Sequence, residues 1–130
     1  QSLKMNNEVS EIFSVEEFIP SAGQGIICLQ CRENDDEVLS ILEKANHKET
    51  YQRANAERNV LKILEGDCET AVGAHAKIYG NEISLETELF SLDGSQRFYE
   101  KKTAKIEKAK ELGTEVGKIL KFKSNNLYKR

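Results

Sequence analysis

The sequence contains a single proline and no apolar run long enough to cross a membrane. No apolar stretch typical of a secretory signal peptide stands at its N-terminus. Its three cysteines cannot all be joined in pairs, so we expect a protein of a reducing, intracellular compartment. The first residue is Gln1 rather than Met, and we therefore expect a processed chain or a part of a longer one. We expect no membrane partner.

An overall excess of basic residues is also missing, since the formal net charge is −3. We therefore expect no nucleic-acid partner. Residues 101–130 nevertheless hold ten Lys and Arg against three Glu, which leaves a charge of −10 on residues 1–100. Such a basic segment can contact an anionic partner, but a helix with a lysine-rich solvated face is the interpretation we favour.

The 130 residues suit one domain, or one domain with part of another. Residues 26–32 form a short, mostly apolar run with apolar or thiol groups on both faces, which is typical of a strand inside a sheet. A capping pair at Asn34 and Glu37 predicts a helix that extends to about residue 46. A second helix is predicted from Asn46, with Gly66 as its stop.

Further along the chain, apolar and polar side chains alternate in three runs that turn residues separate. The runs are residues 74–79, 83–89 and 96–102. One apolar and one polar face predict an antiparallel sheet covered on one side only. An amphipathic helix follows from Ile106 to Leu120, and its Gly113 and Gly117 are expected to allow close packing on the sheet. The fold class is therefore α+β, a three-stranded antiparallel sheet with helices packed on one face.

Two of the cysteines, Cys28 and Cys31, form a CxxC pair that could serve redox chemistry or half of a zinc site. A strand places residues three apart on opposite faces, and the remaining ligands for zinc would be Cys68, His47 and His75. We therefore expect two small buried side chains and no metal. His47 stands at a helix start, where it can take part in capping, and His75 lies on the expected solvent face of a strand.

Cys68 has a different context, because it follows a helix in a loop between Gly66 and Gly73. An accessible thiol in a flexible loop suits nucleophilic or covalent attachment chemistry. Composition alone does not distinguish it from the many inert cysteines found in similar loops.

Three motifs carry a family resemblance: residues 56–68 (AERNVLKILEGDC), residues 22–25 (AGQG), and Asn46 with His47 and Thr50. Together they resemble the porphobilinogen deaminase family. The first resembles the signature around its cofactor cysteine, the second resembles its GQG segment, and the third matches the start of the next helix. The likeness extends from about Ile19 to Lys121. Two positions depart from the family pattern: Asp67 replaces the usual second glycine, and Ala71 stands near the place of a missing proline.

The resemblance implies a transferase of haem and tetrapyrrole biosynthesis, a hydroxymethylbilane synthase. Such an enzyme condenses four porphobilinogen molecules into hydroxymethylbilane and releases ammonia. The resemblance also implies a dipyrromethane cofactor in thioether linkage to Cys68, with Gln24 and Gly25 beside the cofactor and the substrate. The aspartate and the clustered arginines of the family lie in its first two domains. No catalytic residue is therefore expected here, and the chain alone should be inactive.

By the same resemblance, residues 1–22 end the second domain of the family and are expected to be a loop or disordered in isolation. Residues 23–46 return to the first domain as a strand and helix, the remnant of a preceding domain. Residues 47–130 form the C-terminal, cofactor-carrying domain. The implied partners are the N-terminal domains of the same enzyme and porphobilinogen, and the implied location is the cytoplasm or a plastid-type organelle.

Two other hypotheses remain open from the residues themselves. The first is a small α+β interaction module that uses its basic C-terminal helix as a binding surface. The second is a redox or zinc protein that uses the three cysteines.

Overall fold

The computed structural model of the chain describes residues 6–65 and 70–129. Three α-helices and three strands lie in these ranges, with short 3-10 turns at Asn6–Glu8 and Ile106–Lys108. In chain order they are α1 (Asp36–Ala45), α2 (Lys48–Leu64), β1 (Val72–Tyr79), β2 (Glu82–Phe90), β3 (Arg97–Lys105) and α3 (Ala109–Ser124). None of the helices in the described ranges is both long enough and apolar enough to cross a membrane.

The three strands form one antiparallel sheet in the order β1-β2-β3. Gly80 has a φ of 60° at the tight turn between β1 and β2, and Gly94 has a φ of 71° in the connection to β3. Because glycine adopts such angles most readily, these two residues favour the hairpin connections that the sequence predicts. Strands β1 and β2 contain their predicted runs and extend one or two residues beyond them. Strand β3 begins one residue later than its predicted run and ends three residues beyond it.

The core lies between one face of the sheet and helices α2 and α3. Its buried side chains are Ala56, Val60, Leu64, Ala76, Ile83, Leu85, Leu89, Ala109, Leu112, Val116, Leu120 and Tyr128. The predicted α+β class, with helices on one side of a three-stranded antiparallel sheet, is confirmed.

The two glycines of α3 pack against helix α2 and not against the sheet. A Cβ atom added to Gly113 would lie 2.1 Å from the carbonyl oxygen of Ala56. One added to Gly117 would lie 2.8 Å from the Cβ of Ile63. The prediction of close packing on the sheet was therefore wrong about the partner, because the two glycines bring one helix backbone onto another.

Residues 26–32 form no strand in the structure, in contrast to the prediction. A strand needs a neighbour to bond its amide and carbonyl groups, and this segment has no strand partner within the described residues. Ile27 is 88% exposed, Cys28 is exposed and Cys31 is partly exposed, so the expected burial of the two thiols is not observed either. Helix α1 likewise contains no buried residue.

The starts of α1 and α2 differ from the predicted ones by one residue each, and α3 begins at Ala109, three residues after the predicted Ile106, because a 3-10 turn occupies Ile106–Lys108. Asp35, and not Asn34, caps α1, because its side chain accepts a hydrogen bond from the amide of Val38. His47, and not Asn46, caps α2 by accepting from the amide of Thr50, as its position at a helix start had suggested. Helix α2 ends at Leu64, and the predicted stop at Gly66 lies outside the described residues.

Candidate functional site

Cys68 lies outside the described residues, in the connection between helix α2 and strand β1. Gln24 and Gly25 lie in a short loop, residues 21–26, which we call the Gln24 loop. The described part of the site therefore consists of this loop, helix α2 and strand β1, the two elements that flank Cys68 in the sequence.

Two successive turns form the Gln24 loop. The amide of Gln24 donates to the carbonyl of Ser21 at 3.1 Å, and the amide of Ile26 donates to the carbonyl of Gly23 at 3.0 Å. Gly23 and Gly25 have φ angles of 77° and 75°, and a Cβ atom on either would meet no atom within 4 Å. The backbone conformation therefore requires glycine on both sides of Gln24, and the space above Gly25 is open.

The side chain of Gln24 is exposed on this loop. Its Oε1 accepts a hydrogen bond from the hydroxyl of Ser21 at 3.0 Å. A carboxamide can both donate and accept, so an exposed one of this kind can bind a pyrrole N–H or a carboxylate.

The Gln24 loop is attached to the same two elements that flank Cys68. The amide of Gly23 donates to Glu57 Oε2 in helix α2 at 2.8 Å. On the strand side, the amide of Ala74 in β1 donates to the carbonyl of Pro20 at 2.9 Å. Gly73 permits this approach, because a Cβ atom there would lie 2.7 Å from the carbonyl oxygen of Ile19. Gly73 therefore lies in strand β1 and allows Ile19 to pack closely against that strand. It is not part of the mobile loop that the sequence suggested.

Glu57 connects the loop to the free edge of the sheet. Its Oε1 accepts from the amide of Ala76 at 2.8 Å, and the Nε of Arg53 donates to the carbonyl of the same residue at 2.8 Å. Two side chains of α2 thus bond the outward backbone groups of β1 where a fourth strand would otherwise do so. The Glu57 side chain is only 3% exposed.

His75 lies beside this carboxylate, with its Nδ1 3.9 Å from Glu57 Oε1. The imidazole was expected on the solvent face, but its side chain is only 17% exposed. Burial lowers the pKa of His75 below 6.5, and the opposing charge of Glu57 offsets this shift only in part. His75 is therefore neutral at pH 7, and the backbone amides are the hydrogen-bond donors to Glu57.

Sequence reasoning missed Glu57 and Arg53 as parts of this site. A signal was present, because Glu57, Val60 and Leu64 share one buried face of α2 at helical spacing. A charged residue in an apolar stripe needs a partner when it is buried. The identity of that partner depends on tertiary structure.

The C-terminal segment supports the end of α2 that precedes Cys68. The buried hydroxyl of Tyr128 donates to the carbonyl of Leu64 at 2.7 Å. Glu65, which follows the last helical residue with a φ of 53°, bonds Lys121 at 2.8 Å and pairs with Lys129 at 3.6 Å. These contacts hold the helix terminus in place and neutralise its exposed carboxylate.

Two lysines and one glutamate of the basic C-terminal helix form ion pairs within the molecule. Lys121 pairs with Glu65, Lys123 pairs with Glu100 at 2.7 Å, and the side chain of Glu115 binds Lys102 of β3. These pairs support the solvated, internally matched face that the sequence favoured over an anion-binding surface. Within residues 6–65 and 70–129, no three His, Cys, Asp or Glu side chains lie close enough to hold a metal ion.

Two family models match the chain. The model described as "Porphobilinogen deaminase, C-terminal domain" matches residues 51–121, and the one described as "Porphobilinogen deaminase, dipyromethane cofactor binding domain" matches residues 1–40. The first covers more than half of the chain and includes the position of Cys68. The second includes the Gln24 loop.

Curated relatives carry the same family name. The porphobilinogen deaminase of Desulforamulus reducens is 37% identical over 112 residues, which are 86% of this chain and 36% of the relative. That of Alkaliphilus metalliredigens is 34% identical over 118 residues, 91% of this chain and 37% of the relative. That of Coxiella burnetii is 36% identical over 118 residues, 91% and 38% respectively.

The chain therefore spans a little more than a third of the length of these relatives. The resemblance in residues 56–68 and 22–25 is confirmed by matches that extend over most of the chain. The chain belongs to the porphobilinogen deaminase family.

Proposed function

We propose that this chain is the C-terminal, cofactor-carrying part of a hydroxymethylbilane synthase. This transferase condenses four porphobilinogen molecules into hydroxymethylbilane and releases ammonia. The observation that carries the proposal is the match of residues 51–121 to the C-terminal domain of the family. Cys68 lies within that range, and we assign it to the family's cofactor cysteine from the resemblance of residues 56–68. The compartment we propose is the cytoplasm, with a plastid-type organelle as the alternative.

The cofactor we propose is dipyrromethane, held as a thioether by the sulfur of Cys68. When bound, it supplies the primer that keeps the growing chain tethered, so that each addition is intramolecular. Gln24 would bind pyrrole or carboxylate groups through its amide, and Gly25 would let the ligand approach the backbone. Two features fit a bound dipyrromethane: the side-chain carboxamide of Gln24 is exposed, and the space above Gly25 is open.

We propose that the remaining machinery belongs to the N-terminal domains of the same enzyme, so that the chain alone is inactive. In this division, residues 1–22 end the second domain, residues 23–46 belong to the first, and residues 47–130 form the third. The exposed apolar side chains of Ile27 and Leu29 and the absence of buried residues in α1 support it. The arginines support it too, since Arg53 and Arg97 bond to separate parts of this chain and form no cluster.

The alternative of a small interaction module has less support, because two lysines of the basic helix, Lys121 and Lys123, are paired with glutamates of the same molecule. The alternative of a zinc or redox protein is also weaker, since Cys28 and Cys31 lie on a segment without regular structure and the described residues bring no three metal-binding side chains together.

A chimera tests the proposal. In it, this chain replaces the matching 112 residues of the Desulforamulus reducens relative. We expect the chimera to carry dipyrromethane on Cys68 and to convert porphobilinogen, whereas the 130-residue chain alone carries none. Cys68→Ser should abolish both loading and turnover, because no thiol remains at that position to form the thioether.

Cys28→Ala and Cys31→Ala are the matched controls and should keep both properties. Peptide mass mapping locates the cofactor. Cofactor on either of these two residues, or full turnover by the Cys68→Ser chimera, would contradict the assignment.

A second variant tests the role of Gln24. In the chimera, Gln24→Ala should lower turnover several-fold and leave the free energy of unfolding within about 0.5 kcal/mol, since an exposed loop side chain adds little to the fold. Gln96→Ala, another exposed glutamine in a loop, serves as the control and should change neither. An unchanged rate with full cofactor loading in Gln24→Ala would remove Gln24 from the site.

A further inference from the structure

We propose that Glu57 is a positioning residue. It fixes the Gln24 loop, and with it the side-chain carboxamide of Gln24, against the sheet of the cofactor-carrying domain. The inference rests on the proposed function and names a residue that acts on the ligand only through the loop.

The two oxygens of Glu57 bind two separate segments of the chain. Oε2 accepts from the amide of Gly23 and Oε1 accepts from the amide of Ala76, each at 2.8 Å. The side chain is 3% exposed, so water does not compete for these bonds. Hydrogen bonds from an amide to a carboxylate are shorter and stronger than those to a neutral acceptor. The carboxylate is therefore a rigid link between the loop and strand β1.

The link acts at the point that determines where Gln24 lies. Gly23 belongs to both turns of the Gln24 loop, since it precedes Gln24 in the first turn and its carbonyl accepts from Ile26 in the second. Holding the amide of Gly23 therefore fixes the place where the two turns meet. The remaining backbone bond of this region, from Ala74 to the carbonyl of Pro20, lies before the loop and leaves its orientation free.

The neighbouring charged groups do not replace this link. Arg53 donates its Nε to the carbonyl of Ala76, and Lys77 pairs with Glu16. His75 is 3.9 Å from Oε1 and neutral at pH 7. Without the carboxylate, the loop amide has no equivalent acceptor among these groups.

Glu57→Gln separates the two bonds, because a carboxamide has one acceptor oxygen in place of two. Ala76 is held in a strand and by Arg53, whereas Gly23 lies in a loop, so we expect the remaining oxygen to stay with Ala76 and the loop to be released. In the chimera we expect full cofactor loading and a several-fold lower turnover per loaded molecule, a loss no larger than that of Gln24→Ala. Hydrogen exchange in a peptide of residues 21–26 should be about tenfold faster, while that of β2 stays unchanged.

Glu49→Gln is the matched control, since it makes the same change at an exposed position two turns earlier in α2, and it should behave as wild type. If Glu57→Gln yields no folded protein, Glu57→Asp answers the same question. It keeps the charge, but its side chain is one methylene shorter and cannot reach both amides.

The outcomes separate the two proposals. A wild-type chimera that neither loads cofactor nor turns over overturns the proposed function, and this inference with it. An active wild-type chimera whose Glu57→Gln variant keeps its turnover per loaded molecule within twofold overturns only the inference. The inference is also overturned if loading and turnover fall in proportion and hydrogen exchange accelerates in β2 as much as in the Gln24 loop. That pattern would indicate a merely structural role for Glu57.

Discussion

Polar side chains inside this small domain are bonded to backbone groups of distant segments. Glu57 binds two amides, Tyr128 donates to the carbonyl of Leu64, and the hydroxyl of Thr87 donates to the carbonyl of Glu100 at 3.0 Å. Among the described residues, no buried side-chain nitrogen or oxygen lacks a partner. Because an unpaired buried polar group is costly, such bonds specify which segments lie together.

His75 should make the stability of the chain depend on pH. Burial lowers its pKa below 6.5, so the folded chain binds this proton less tightly than the unfolded chain. The contribution of His75 to the free energy of unfolding is therefore fully present above pH 6.5, and it is lost as the pH falls through the lowered pKa. We expect His75→Gln to reduce the loss of stability between about pH 7.5 and about pH 5, measured by denaturant unfolding.

The control is Gln96→Ala, which replaces an exposed loop side chain without a titratable group and leaves His75 in place. It should retain the wild-type slope. The carboxyls with lowered pKa values, such as Glu86 and Asp93, act below this window, with Asp93 at about 2. An unaltered slope in His75→Gln would contradict the prediction.

At this scale, the sequence identified candidates but not their contacts. The family motifs point to Cys68, Gln24 and Gly25, and those three assignments stay predictions. Glu57 lies within the quoted motif, but its two partners are 34 and 19 residues away in sequence. No local pattern carries that information.

At the scale of elements, the sheet was predictable because its period of two appears directly in the sequence. One face of β1 to β3 is covered by helices and the other is not, so apolar and polar residues alternate. Residues 26–32 have an equally strand-like composition but form no strand, because composition does not supply a neighbouring strand. The starts of α1 and α2 were predicted to within one residue, the usual uncertainty of such assignments, whereas α3 begins three residues after its predicted start.

The contact between α2 and α3 depends on the missing side chain of Gly113. In most helices Gly→Ala is stabilising by about 1 kcal/mol, because alanine has the higher helix propensity. Here the added Cβ would lie 2.1 Å from the carbonyl of Ala56, so the helices would have to separate. We expect Gly113→Ala to lower the free energy of unfolding by about 1–3 kcal/mol, measured by denaturant unfolding.

Lys118→Ala, at an exposed position of the same helix, controls for the change in helix propensity and should alter stability by less than about 0.5 kcal/mol. A Gly113→Ala chain as stable as wild type, or more so, would show that the two helices do not pack through this glycine.

The whole molecule divides into a packed part and an open part. All members of the main core come from residues 56–128. In contrast, large apolar side chains are exposed throughout residues 9–41. They are Val9, Ile12, Phe13, Phe18, Ile27, Leu29, Leu39 and Ile41. An apolar surface spread in this way is typical of a region that packs against other protein.

The chain on its own should therefore self-associate through residues 9–41. Apolar side chains left in water, such as Ile27 at 88% and Leu29 at 60% exposure, gain by contact with a second copy. We expect sedimentation velocity at about 100 µM to show species larger than a monomer, within the concentration range in which exposed apolar segments associate. The double variant Ile27→Ser with Leu29→Ser should shift the distribution towards monomer.

Phe122→Ser is the matched control for this prediction. Phe122 is 87% exposed, as much as Ile27, but it stands on the lysine-rich helix α3, where neighbouring positive charges repel a second copy. Its replacement should leave the distribution unchanged. If wild type is a monodisperse monomer, the exposed segment does not drive association. A different result would be dispersal of the oligomers by Phe122→Ser but not by the double variant. In that case the copies associate through the packed part of the molecule, and residues 9–41 are not the surface that drives association.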